Sequence, residues 1–150
     1  MMKKQIPRLP DSELNIMLVL WNGHPGMSRP EIETVVNQKK KLAPTTILSL
    51  LARLESKGFV SVRKEKQMNY YTPRISKDDY QSQESKTILE KLYGNSLKNF
   101  VSSLYHGRAV EEEDIRELED YLHDLETEKT IGINKTEGGR GVWKNLFFTS

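Results

Sequence analysis

The feature that most constrains the fold of this 150-residue chain is an apolar helical stripe with a sharp boundary at each end. Four apolar residues recur at the spacing of one helix face: Ile47, Leu50, Leu51 and Leu54. Pro44 fits the first helical turn, where its missing N–H costs no hydrogen bond, and Gly58 fits the position just after the helix. Because one side of this helix must be buried, the chain has to supply elements that pack on it.

Those elements are predicted on both sides of the stripe. Four residues have the apolar spacing of a first helix: Leu14, Met17, Leu18 and Trp21. Ser28 and Glu31 have the spacing of a capping box that begins a second helix. After Gly58, two runs rich in β-branched and aromatic residues flank a polar break at residues 65–68, which predicts a β-hairpin.

Three helices followed by a hairpin are the element order of a winged helix-turn-helix. The predicted fold class is therefore mainly α with a small β-hairpin, in which a winged helix-turn-helix domain precedes a helical dimerisation region. We assign residues 7–74 to the DNA-binding domain, residues 75–127 to the dimerisation domain and residues 128–150 to a flexible tail.

Charge is distributed unevenly along the chain. Residues 39–66 contain eight basic and two acidic residues, whereas residues 111–128 contain ten acidic residues and one basic residue. A polyanion is attracted to the first segment and repelled by the second. This asymmetry predicts a nucleic-acid-binding module followed by a module with another task.

The predicted third helix is the candidate for contact with DNA bases. Its hydroxyl side chains Thr45, Thr46 and Ser49 fall outside the apolar stripe, and hydroxyl groups can hydrogen-bond base edges in the major groove. A second set is predicted to contact the DNA backbone from helix starts, the loop before the third helix and the hairpin: Ser28, Arg29, Lys41, Arg53, Arg63, Lys64 and Lys66.

Each of these assignments has a simpler alternative. Lys39 to Lys41 also fit a solvated loop, and Thr45 and Thr46 also fit an ordinary first helical turn. Tyr70 and Tyr71 are interpreted as hairpin packing rather than as base-stacking platforms, because they lie in a strand that needs cross-strand partners. The DNA-binding interpretation depends on bases, hydroxyls and hairpin occurring together.

A homodimer is predicted from apolar residues in the later helices, which exceed what a thin helical appendage can bury within one chain. The candidate dimerisation residues are Leu97, Phe100, Val101, Leu104, Ile115, Leu118, Leu122 and Leu125.

Catalysis, cofactors and metal sites are not predicted. The three histidines lack the spacing of metal ligands, no nucleophile elbow or P-loop is present, and the chain has no cysteine. Without an apolar run long enough for a membrane span or a signal peptide, the expected location is the cytoplasm and no membrane insertion is expected. The alternative function is a winged-helix protein-interaction module that does not bind specific DNA.

Three segments resemble the penicillinase repressor family, the BlaI/MecI type of winged-helix regulators: 14–21 (LNIMLVLW), 42–58 (LAPTTILSLLARLESKG) and 70–73 (YYTP). The resemblance covers about residues 7–126. It implies a homodimer on a palindromic double-stranded operator, and release of repression by a membrane-bound sensor protease that cleaves an Asn-Phe bond. Asn99-Phe100 is such a pair in this chain, whereas alignment on Leu92-Tyr93 places the family's pair nearer 103–104.

Overall fold

The computed structural model of the chain describes residues 5–131, with side chains described as far as residue 129. The elements within these residues are α1 (Asp11–Asn22), β1 (Met27–Ser28), α2 (Arg29–Lys39), α3 (Pro44–Ser56), β2 (Val60–Glu65), β3 (Met68–Pro73), α4 (Lys77–Tyr93), α5 (Leu97–His106) and α6 (Glu112–Ile131). The predicted fold class, mainly helical with a small antiparallel sheet, is confirmed.

The chain divides into two compact units, the first ending at Asn95 and the second beginning at Ser96. The first unit holds α1 to α4 and all three strands, and the second holds α5 and α6. The functional boundary predicted between residues 74 and 75 stays a prediction, and the compact first unit also includes α4.

The predicted apolar stripe forms one side of α3, and its four residues are all buried: Ile47, Leu50, Leu51 and Leu54. Pro44 occupies the first turn of the helix, and Gly58 follows it with a φ of 82°, a conformation that costs glycine least. Phe59 comes next and is fully buried, and its carbonyl accepts a hydrogen bond from the backbone N–H of Arg74 at 2.7 Å. The buried residues therefore continue from the apolar stripe of α3 through Phe59 into the sheet.

The stripe predicted for α1 was wrong in its register. The residues of α1 that are buried are Glu13, Ile16, Met17 and Leu20, while Leu14, Leu18 and Trp21 are only partly buried. The buried face was hidden in the sequence because it begins with a charged residue, Glu13, which pairs with Lys57 Nζ at 2.5 Å. Trp21 lies at the edge of the core, where its indole N–H donates to the carbonyl of Ile75 at 2.9 Å.

The sheet has the strand order β1-β3-β2, and both pairings are antiparallel. The predicted hairpin is β2 and β3, which are joined through Lys66 and Gln67 with φ angles of 50° and 65°. Positive φ at both central residues is the geometry of a type I′ turn, which suits the twist of a hairpin. The turn therefore contains only two residues, Lys66 and Gln67, whereas the sequence predicted a polar break over residues 65–68. β1 was not predicted, because a strand of two residues leaves no periodic pattern.

Tyr80 packs α4 against the rest of the first unit. Its ring is buried with centroids 5.7 Å from that of Trp21 and 5.9 Å from that of Phe59, and its hydroxyl accepts a hydrogen bond from the backbone N–H of Leu9 at 2.9 Å. Arg8 Nε adds an ion pair with Glu84 of α4 at 2.9 Å. The segment before α1 is thus fixed to α4.

The second unit contains α5 and α6, the two helices that carry the predicted dimerisation residues. α5 begins at a Ser96 cap, whose hydroxyl accepts from the N–H of Asn99 at 3.1 Å. α6 continues to Ile131, so the helix includes the first residues of the tail predicted from residue 128. The remainder of that predicted tail, residues 132–150, lies outside the described residues.

Candidate nucleic-acid interface

The side of α3 opposite its buried stripe carries the predicted base-reading residues. Thr45, Thr46 and Ser49 are all exposed, as is Arg53 one turn later. No hydrogen bond within residues 5–129 occupies the three hydroxyl groups. The helix therefore presents free donors and acceptors to solvent, which is the condition that contact with base edges requires.

The side chain of Asn37 stabilises the loop that leads into α3. The carboxamide oxygen of Asn37, near the end of α2, accepts a hydrogen bond from the backbone N–H of Leu42 at 2.9 Å. This bond fixes the turn between α2 and α3 and leaves Lys41 exposed just before the first turn of α3. The sequence alone gave no reason to single out Asn37.

The predicted backbone-contacting cations fall into two classes. Lys41, Arg53, Lys64 and Lys66 are exposed, and none of them forms an ion pair within the part of the chain that the structure describes. In contrast, Arg29 pairs with Glu33 one turn along α2, and Arg63 pairs with Glu65 on the same strand. The paired cations must exchange a carboxylate for a phosphate before they can contact DNA.

The start of α2 already uses its capping groups. Ser28 Oγ accepts from the N–H of Glu31 at 3.3 Å, and the Glu31 carboxylate accepts from the N–H of Ser28 at 2.9 Å, which confirms the predicted capping box. The Ser28 side chain is thus engaged within the helix start rather than free for a phosphate.

The same Glu31 carboxylate also binds His24, in the turn after α1, through an Nε2 to Oε2 contact of 2.8 Å. The hydrogen bond from His24, reinforced by those from Ser28, lowers the pKa of Glu31 to about 2. The hydrogen bond to Glu31 and one to the Pro25 carbonyl raise the pKa of His24 above its ordinary value. His24 is therefore linked to α2 by a hydrogen bond to Glu31 whose strength depends on the charge of His24. The sequence did not indicate this contact.

One row of the sheet joins the start of α2 to the wing, the β2-β3 hairpin. In this row Ser28 of β1 faces Tyr70 of β3, and Tyr70 faces Arg63 of β2. The Arg63 guanidinium lies 4.8 Å from the centroid of the Tyr70 ring, within the range of a cation–π contact. The neighbouring Tyr71 is buried, as predicted for hairpin packing, while Tyr70 is partly buried and supports Arg63. A tyrosine directly opposite an arginine was the available sequence signal for this contact.

Two features are absent from residues 5–131. No group of three or more His, Cys, Asp or Glu side chains is arranged to hold a metal ion. No helix combines the length and the apolar character that crossing a bilayer requires.

Comparison with known proteins then decides the family. The family model described as Penicillinase repressor matches residues 9–124. The chain belongs to the penicillinase repressor family. This confirms the resemblance predicted from the sequence, the winged-helix DNA-binding repressor class and, because the family consists of repressors, the prediction that the chain is not an enzyme.

Individual members of the family are similar over most of the chain. The penicillinase repressor of Bacillus licheniformis is 30% identical over 126 residues, which cover 84% of this chain and 98% of that protein. The penicillinase repressor of Staphylococcus aureus is 30% identical over 114 residues, covering 76% of this chain and 90% of that protein.

Solved structures of BlaI are similar to about half of the chain. The solution structure of the DNA-binding domain of BlaI is 35% identical, covers 52% of this chain and 94% of that one, and has a TM-score of 0.46. The monomeric Bacillus licheniformis BlaI in complex with the blaP half-operator gives the same identity and coverage with a TM-score of 0.45.

Proposed function

We propose that the chain is a cytoplasmic homodimeric repressor that binds a palindromic operator with α3 in the major groove and the wing on the flanking phosphates. The observation that carries the proposal is the exposed hydroxyl face of α3, bordered by unpaired cations, in a member of a repressor family. Double-stranded DNA complements both features, because it offers polar base edges between two lines of phosphate.

The base-reading role is proposed for Thr45, Thr46 and Ser49. Their side chains are short, so the helix backbone can approach the groove floor closely, and each hydroxyl both donates and accepts. A hydroxyl that bonds a base edge discriminates between bases, whereas one that bonds a phosphate positions the protein without reading sequence.

The backbone-contacting role divides between the free and the paired cations. Lys41 and Arg53 flank α3, and Lys64 and Lys66 lie at the tip of the wing, all exposed and able to contact phosphates directly. Arg29 and Arg63 are proposed as secondary contacts, since each is shared with a carboxylate. Ser28 contributes through the start of α2, where the helix dipole favours an anion.

Dimerisation is proposed through the second unit. Its candidate residues remain at least partly accessible within one chain: Leu97, Phe100, Val101, Leu104, Ile115, Leu118, Leu122 and Leu125. Burying a side chain of this kind fully is worth roughly 1.5–3 kcal/mol, so covering the set with a second copy can offset the cost of association. Two copies place two reading helices on the two halves of a palindrome.

Release by a membrane-bound sensor protease is the final element of the proposal. Asn99 and Phe100 lie in α5, as do residues 103 and 104, so either candidate bond must leave its helix before a protease can cleave it. Mass spectrometry of the protein from induced cells would identify the bond: cleavage after Asn99 supports this site, and an intact chain would remove the protease from the mechanism.

Selection of bound sequences from random DNA, followed by footprinting, tests the operator. We expect a palindrome with half-site centres about 34–36 Å apart or a multiple of that distance. Arg53→Ala should weaken binding to every sequence, whereas Thr46→Ala should relax the preference at one position in each half-site. Thr127→Ala, an exposed threonine on α6, is the matched control and should change neither property.

A salt titration separates the repressor from the protein-interaction module. Binding through several phosphates weakens steeply as salt rises, because counterions are released from the DNA. DNA affinity that is low and flat across the titration would exclude the repressor and favour the interaction module.

A further inference from the structure

Leu48 is an apolar residue on the wrong side of α3 for the core. The four residues of the apolar stripe are buried, whereas Leu48, which lies outside the stripe, is 39% exposed. Successive residues of an α-helix are about 100° apart, so Leu48, which directly follows Ile47, points away from the buried face. The core therefore does not explain why a leucine occupies this position.

The part of α3 around Leu48 lacks charged side chains. Thr45, Ser49 and Ala52 lie three residues before, one after and four after Leu48, and all three are exposed. Neither a carboxylate nor an amine occurs among residues 44–52, and the nearest acid on the same helix face is the exposed Glu55, two turns beyond Leu48. A helix face that stays in water usually carries charged side chains, as the exposed face of α6 does. The composition of this face of α3 is instead that of a surface that becomes covered.

The chemistry of the border indicates what covers it. Lys41 and Arg53 stand at the two ends of this surface and repel a basic partner, while the hydroxyls of Thr45 and Ser49 need hydrogen-bonding partners once water is removed. The DNA major groove meets these demands together: phosphates along its borders for the cations, base edges on its floor for the hydroxyls, and one apolar group, the 5-methyl of thymine.

We infer that Leu48 is a specificity-determining residue that packs on the 5-methyl group of a thymine in each operator half-site. The inference rests on the proposed function and adds to it an apolar contact beside the hydroxyl contacts. The contact selects thymine over cytosine, which presents a hydrogen in place of the methyl group at this edge of the groove.

The size of the effect follows from the burial of one methyl group. Removing a carbon of this size from an apolar contact weakens affinity about fourfold. In a dimer the loss occurs in both half-sites, so a symmetric change in the operator has about a sixteenfold effect.

Deoxyuridine, which is thymidine without its 5-methyl group, provides the test. Each thymine pair of the selected operator is replaced symmetrically by deoxyuridine, and the Kd is measured by fluorescence anisotropy for the full chain and for Leu48→Ala. We expect one position at which the substitution weakens the affinity of the wild-type protein about sixteenfold but does not weaken the affinity of Leu48→Ala. Leu48→Met, which keeps an apolar side chain of similar volume, should retain most of the methyl dependence.

Val35→Ala is the matched control, because Val35 is also 39% exposed but lies on α2. It should keep the full dependence on the thymine methyl. If Leu48→Ala retained that dependence, the methyl would be contacted by another residue, such as Thr45 or Thr46, and the assignment would be overturned. A wild-type protein that binds the operator specifically but ignores every thymine methyl would also overturn it, and would leave the proposed function intact. A wild-type protein that selects no sequence at all would instead remove the proposed function.

Discussion

The two compact units bury their apolar residues to very different extents. Among residues 5–129, all fourteen buried hydrophobic residues lie in the first unit, between Leu9 and Tyr80, and the second unit buries none. In the second unit Leu97 is 56% and Leu122 is 43% exposed. A unit that completes its core within one chain can position a rigid site. A unit with this much accessible apolar surface is suited to association with another copy.

The largest expected effect comes from charging the apolar surface of the second unit. Leu118→Asp combined with Leu122→Asp should convert the dimer into monomers, because four carboxylates would have to be buried in the interface. Sedimentation velocity measures the change directly. Val35→Asp places a charge at a similarly exposed apolar residue of the first unit and should leave the dimer unchanged. A dimer that survives the double substitution would locate the interface elsewhere.

The next largest effect is expected on the stability of the first unit when a leucine is changed to alanine in either unit. Leu54→Ala removes a fully buried side chain of α3 and should lower the stability of the first unit by about 2–5 kcal/mol. Leu97→Ala should alter that stability by less than about 0.5 kcal/mol, since Leu97 lies outside the first unit. Hydrogen exchange at the α3 amides reports on the first unit alone. Equal losses of α3 protection in both variants would show that the units fold as one.

The elements of the first unit were predictable where one periodic signal dominated. The α3 stripe, the capping box at Ser28 and the hairpin strands each have a local cause that the sequence displays. The register of α1 was not predictable in this way, because Glu13 is buried only through its pairing with Lys57, which is distant in sequence. The short β1 depends on pairing with Tyr70 and Tyr71, which is again a tertiary contact.

The candidate site shows the same division. Exposure of Thr45, Thr46 and Ser49 follows from their position relative to the apolar stripe and could be predicted. Which cations are free was not predicted. The i,i+4 spacing of Arg29 and Glu33 allows an ion pair, as does the shared strand of Arg63 and Glu65, but spacing alone does not show that either pair forms. Composition gives the sign of a charged surface, and only the structure shows which of its charges are already paired.

A smaller effect should distinguish the basic first unit from the acidic second one. Glu65→Gln removes the carboxylate that holds Arg63, so Arg63 can contact a phosphate. We expect the slope of log affinity against log salt to steepen by up to about 0.9. Glu117→Gln makes the same change of charge on exposed α6 and should leave the slope unaltered. An unchanged slope in Glu65→Gln would mean that Arg63 does not reach the DNA backbone.

The smallest effect is a pH dependence of the polar tie between His24 and Glu31, which is confined to the first unit. Because the pKa of His24 is raised, the charged pair is fully present below the ordinary histidine value and is lost as pH rises through the raised pKa. The pKa of Glu31 is about 2, so its carboxylate stays ionised above the ordinary glutamate range and its contribution is lost only as pH falls toward that value. The turn after α1 should therefore loosen from α2 as pH rises through the raised pKa of His24, with no change in the apolar contacts of the second unit.

Titration of the His24 ring by NMR measures this tie. Glu31→Gln keeps the capping hydrogen bond to Ser28, because glutamine can serve in a capping box, but removes the charge that His24 faces. The midpoint of the His24 titration should then fall toward its ordinary value. Glu33→Gln, which removes the partner of Arg29 instead, should leave the midpoint where it is. If both variants gave the wild-type midpoint, Glu31 would not be what holds the proton on His24, and the tie between the turn and α2 would not depend on pH in this range.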